Sequence, residues 1–148
     1  MFQTVMIAFV AFILAYLLAL IILRNKNRKT LRNGPSAKLD KLFVQNMWSK
    51  IEQTAKLGGS SHYKSSIMEA DKLLDFVLKS KEIRGETFGE RLKNAKSEFS
   101  NYSDYNNLWF AHKVRNSLVH EATYDLNSAE AKRAIEYFKK ALKILGAL

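Results

Sequence analysis

Arg115, Asn116 and His120 are residues whose types and spacing suit chemistry on a charged substrate. They lie in residues 108–121, a stretch that reads as a helix. At about 100° per residue, Leu108, Ala111, Val114, Leu118 and Val119 share one apolar arc, and Arg115 projects from the middle of it. His120 falls roughly 140° from Arg115, beside Asn116 and Trp109. An imidazole exchanges protons near neutral pH and a guanidinium forks onto oxyanions, so the set offers acid–base work and anion stabilisation without a metal. A cation turned into a core needs a partner, because burying it alone is costly. Asp71, on the flank of the apolar face of an earlier helix, is the expected one. The same residues also fit a plainer account, in which Arg115 is a buried ion-pair residue and His120 a helix-end histidine set against the C-terminal dipole.

Other chemistries find little support. The chain has no cysteine, which excludes disulfides and thiolate nucleophiles. His112 and His120, eight residues apart with no adjacent carboxylate, make a poor metal site, and no metal or cofactor is expected. His112 is expected at the surface or in a dimer contact. Gly58-Gly59 follows a helix and lacks the Gly-Lys-Ser/Thr of a phosphate-binding loop, so it is a turn. Tyr102, Tyr105, Trp109 and Phe110, with Lys113 among them, combine rings and positive charge as a base-stacking surface requires, although core or dimer packing is the competing use of Trp109 and Phe110.

The elements that must hold these residues are helical. Residues 2–23 carry no charge and span roughly 33 Å as a helix, enough to cross a bilayer. All 24 Lys and Arg of this 148-residue chain follow that run, beginning with Arg24, Lys26, Arg28, Lys29 and Arg32. A secretory signal has the opposite order, so a single-pass anchor is expected, with its N-terminus outside and the remaining chain in the cytoplasm. The formal charge of +10 suits an anionic bilayer surface or nucleic acid.

Residues 24–35 then read as a basic juxtamembrane linker ending in Asn33-Gly34-Pro35, and residues 36–58 as an accessory helix with Leu39, Leu42, Phe43, Met47, Ile51 and Ala55 along its apolar face. A helix over about 61–81 aligns Tyr63, Ile67, Ala70, Leu74, Val77 and Leu78. Thr87 and Glu90 have capping-box spacing at the head of a short helix. Asn127 or Ser128 caps a last helix whose face is Ala131, Ala134, Ile135, Phe138, Ala141, Leu142 and Leu145, stopped by Gly146. No period-two alternation persists, so the fold class is all-α, an up-and-down bundle of five helices on a transmembrane tether.

Within that frame the run Arg115-Asn116-Ser117-Leu118-Val119-His120 resembles the Arg-x(4 to 6)-His motif of the HEPN domains, small helical bundles that include metal-independent ribonucleases. The resemblance covers about residues 60–146, including the look of residues 67–74, the Gly85-Glu86-Thr87 turn and the Ala131-Lys132-Arg133-Ala134 terminal helix. It implies a HEPN-like domain over 59–148 that dimerises with its motifs facing each other. Together with the residue chemistry it makes an RNA endonuclease the leading expectation, in which His120 is general acid and base, Arg115 stabilises the phosphate, Asn116 positions it and Asp71 orients Arg115, with Tyr105, Trp109 and Lys113 the residues expected to contact RNA. Some members of that superfamily do not catalyse, so a membrane-tethered dimerisation or scaffold module is the alternative. The partners expected are the bilayer, RNA and a second copy of the chain.

Overall fold

A computed structural model of the protein describes residues 39–148 and, in addition, Tyr16. The span expected over residues 2–23 and the linker over 24–35 lie outside the described residues, Tyr16 apart. Among the described residues no helix is long and apolar enough to cross a membrane.

Five α-helices and no strand occur among the described residues: α1 Lys41–Lys56, α2 Gly59–Ser80, α3 Phe88–Asn94, α4 Tyr102–His120 and α5 Ser128–Ile144, with a 3-10 turn Ala95–Glu98 prolonging α3. The capping chemistry sets these boundaries. Asp40 accepts from the Phe43 amide at 2.9 Å and caps α1, which begins after it. Thr87 Oγ1 accepts from Glu90 N at 3.2 Å, and the Glu90 carboxylate reaches back to the Glu86 amide at 2.7 Å, one residue before the usual partner of a capping box. Asn127 caps α5 through the Glu130 amide at 2.9 Å. Gly146, at φ +70°, lets Ala147 N close onto Leu142 O at 2.9 Å and ends the helix.

Helix α2 is the central element, packed against α1, α3, α4 and α5, while α5 also packs along α4. Its expected face is the observed one: Tyr63, Ile67, Ala70, Leu74, Val77 and Leu78 are all buried, as are the seven residues expected on α5. Helix α1 differs. It buries Val44, Trp48 and Ile51, leaving Leu42 67% and Phe43 43% exposed. Two apolar stripes compete on this helix. The one carrying Trp48 prevails because each large side chain taken out of water contributes about 1.5–3 kcal/mol, and the indole has the largest area to bury. Those three residues belong to the same core cluster as α2, α4 and α5, and Lys139 of α5 pairs with Glu52 of α1, so α1 is part of this core. The lysine's hydrogen bond holds the Glu52 carboxyl below its ordinary range against the opposing pull of burial.

A second arginine closes the other end of α2. Arg91, 6% exposed, donates from Nε to Asp75 Oδ1 at 2.6 Å and from Nη1 to the Gly85 carbonyl at 2.6 Å, pinning α3 and the turn before it onto α2. Gly85 is required there: at φ +152°, a Cβ would lie 2.5 Å from the Arg91 backbone nitrogen.

Candidate functional site

Asp71 stands on α2 one turn before Asp75 and is 3% exposed. A carboxylate so deeply placed needs donors, and α4 supplies two. His112 Nδ1 lies 2.8 Å from Asp71 Oδ1, and Arg115 Nε lies 3.2 Å from Oδ2. The second contact is an ion pair only, since the Nε hydrogen is not aligned on that oxygen. Arg115 Nη1 donates to Asn116 Oδ1 at 3.1 Å, and Asn116 Nδ2 lies 3.1 Å from His112 Nε2. The four side chains form a closed ring: Asp71, His112, Asn116, Arg115 and back to Asp71.

The direction of every hydrogen bond in the ring follows from Arg115, which can only donate. The Asn116 atom facing it is therefore the carbonyl oxygen, and the amide nitrogen faces His112. Nε2 must then accept, which puts the imidazole hydrogen on Nδ1, where it is donated to Asp71. Phe88 and Trp109 enclose the ring edge to face, with centroids 4.7 and 5.9 Å from that of His112. This shell keeps water from the inner side, where unscreened hydrogen bonds are stronger.

The outer side is open. The Arg115 side chain is 25% exposed, and among the described residues no hydrogen bond engages its Nη2. His120, the last residue of α4, is exposed and makes no hydrogen bond or ion pair among the described residues. Helical geometry separates the Cα–Cβ directions of Arg115 and His120 by roughly 140°. The arginine nonetheless bends to Asn116, and Asn116 and His120 are i, i+4 neighbours on one face. The guanidinium is thus drawn towards the flank that carries the imidazole. In the segment after α4, burial and the Glu130 carboxylate push the Tyr124 phenol up to about 12.

The remaining site residues divide. Lys113 is exposed and Trp109 is half-buried. Tyr105 is buried, its ring held between Phe99 and Trp109, so it has no free face for a base; Tyr102, 63% exposed under Lys96 Nζ, is the open aromatic of this group. Phe110 is engaged by Tyr137 and by the Arg133 guanidinium. Val119, expected in the apolar arc, is 47% exposed, while its neighbour Leu118 packs against the core.

His112 corrects the sequence expectation most. It is not a surface residue but 7% exposed and central to the ring. The signal was present: His112 falls about 40° from Leu108, inside the apolar arc, and precedes Arg115 and Asn116 by three and four residues, the spacing that brings helical side chains together. No protein-family model, curated protein or solved structure matches this chain, and what the cluster does follows from its own geometry.

Proposed function

We propose that the chain is a HEPN-like, single-pass membrane protein whose cytoplasmic helical domain binds RNA and cleaves it without a metal, acting as a homodimer. The observation that supports this best is the contrast within α4: Arg115 is oriented from behind by Asp71 and Asn116 while its outer nitrogen is open, and His120 stands exposed and uncommitted on the flank Asn116 shares. Arg115 and Asn116 then hold a phosphodiester. A neutral His120 takes the proton of the ribose 2′-hydroxyl as that oxygen bonds to phosphorus, and the bond from phosphorus to the 5′-oxygen breaks. The departing oxygen needs a proton, which the protonated His120 of a second copy supplies. The products are a 2′,3′-cyclic phosphate and a 5′-hydroxyl.

The basic segment next to the proposed span serves the bilayer first. Six of the 24 cations lie between Arg24 and Lys38 with no acidic residue among them, while the 18 from Lys41 onward face all 14 carboxylates. RNA contact by the helical domain therefore rests on local donors such as Arg115 and Lys113.

The full-length chain in detergent, incubated with single-stranded RNA and chelator, should yield cyclic-phosphate ends that disappear in His120→Ala. Intact RNA across a range of pH would sink the enzyme reading. The second reading, a non-enzymatic tethered dimerisation or scaffold module, draws on uncovered apolar surface at Leu42, Phe43 and Leu57 of the α1 region and at Val119 beside His120. Self-association lost on Leu42→Glu or Val119→Glu, with RNA untouched by the native chain, would select it.

A further inference from the structure

We propose that His112 is a positioning residue for Arg115, acting through Asn116: its Nε2 lone pair fixes the Asn116 amide so that the carbonyl oxygen faces the guanidinium. This rests on the ribonuclease reading for its effect on rate, but the lock itself does not. An asparagine amide can flip, and its two ends differ in the one property that matters to a cation. With the oxygen towards Arg115, Nη1 is anchored and Nη2 is left for substrate. With the nitrogen towards Arg115, two donors oppose each other and the guanidinium loses its lateral hold. Asp71 alone does not prevent this, because its contact with Nε is unaligned. His112 selects the orientation, since in the neutral imidazole the hydrogen committed to Asp71 from Nδ1 leaves Nε2 able only to accept, at 3.1 Å from Asn116. Asp71 therefore acts on Arg115 twice, once directly and once around the ring.

Two substitutions separate this role from packing. The asparagine amide nitrogen overlays imidazole Nδ1, so His112→Asn keeps the donor to Asp71 and loses the acceptor for Asn116. The glutamine amide overlays Nε2, so His112→Gln keeps that acceptor and loses the donor to Asp71. In the full chain in detergent, His112→Asn should melt at the higher temperature of the two yet cleave RNA about tenfold more slowly than native, the worth of one lost hydrogen bond. His112→Gln should melt lower yet stay within about threefold of native. Rates that follow the melting temperatures, or that fall alike in both, overturn the proposal.

Nitrogen-15 NMR of the native chain should show His112 protonated on Nδ1 and bare on Nε2; an Nε2–H tautomer or an imidazolium at neutral pH overturns it. If the native chain does not cleave RNA, the ribonuclease reading fails, and the lock is decided by the Asn116 side-chain amide hydrogens. Slow exchange in native and His112→Gln with fast exchange in His112→Asn supports it, and equal exchange in all three refutes it.

Discussion

Two arginines reach from different helices to carboxylates one turn apart on α2, and they are used differently. Arg91 meets Asp75 in an aligned 2.6 Å hydrogen bond, gives a second to the Gly85 carbonyl and is almost sealed. Arg115 meets Asp71 at 3.2 Å without alignment, gives its lateral hydrogen bond to a flippable amide, and remains a quarter exposed with its outer nitrogen open. In the first pair each charge is spent on holding α3 and a turn. In the second the carboxylate divides itself between a histidine and the arginine, so the guanidinium is oriented without being consumed. An orienting shell of this kind favours a site, whereas a saturated clamp favours a fold.

The largest expected effect falls on the Arg115 side. Arg115→Ala and His120→Ala should each lower RNA cleavage about a hundredfold or more, as loss of an oxyanion donor or an acid–base group does. Stability should change little: His120→Ala by less than about 0.5 kcal/mol because the side chain is exposed, and Arg115→Ala by about 1 kcal/mol because Asp71 keeps His112. Initial rates of cyclic-phosphate formation and urea midpoints measured on the same preparations check this. A large loss of stability with unchanged turnover would erase the distinction between the two arginines.

Arg91→Ala should do the reverse. Asp75 is half-buried and keeps Lys79, but the almost sealed Arg91 takes with it the hydrogen bonds to Asp75 and to the Gly85 carbonyl, together worth about 3 kcal/mol, and rates corrected for the folded fraction should match native. Gly85→Ala comes next, at about 2 kcal/mol, because the new Cβ meets the Arg91 backbone and the positive φ is strained for alanine. A urea series reads both. If Gly85→Ala proved neutral, the turn would not be the fixed base that the Arg91 clamp requires.

The contrast also explains what could be read from the residues alone. The stripes of α2 and α5 were legible because every apolar residue at helical spacing lies on one face, and Asp71 as the partner of Arg115 was legible because a buried cation narrows the choice of anion. On α1 two stripes were available, and which one turns inward depends on where a neighbouring helix can receive an indole, a tertiary fact. His112 was hidden for a different reason. A histidine in an apolar arc gains its role only when a carboxylate on another helix fixes one nitrogen and an amide on its own helix takes the other. Residues 2–23, legible as a span by length and lack of charge, remain an expectation resting on those two properties.

The smallest effect concerns acid. Burial pushes the Asp75 carboxyl up, but hydrogen bonds from Arg91 and Lys79 outweigh it and hold the group below its ordinary value. A carboxyl lowered by folding contributes stability that is fully present above its unfolded value, near 3.8, and is lost as pH falls through the depressed folded value. Glu52, lowered by Lys139, titrates in the same direction, so a native curve alone does not isolate the clamp. The comparison that does is native against Asp75→Asn, with urea midpoints taken at pH 6 and at successively lower pH. Asparagine cannot ionise, so the gap between the two proteins should be widest near neutrality and should narrow steadily below about pH 4. A gap that stayed constant down to the acid limit would mean that Asp75 holds Arg91 by shape and hydrogen bonding rather than by charge, and the saturated clamp would then differ from the Arg115 ring in geometry alone.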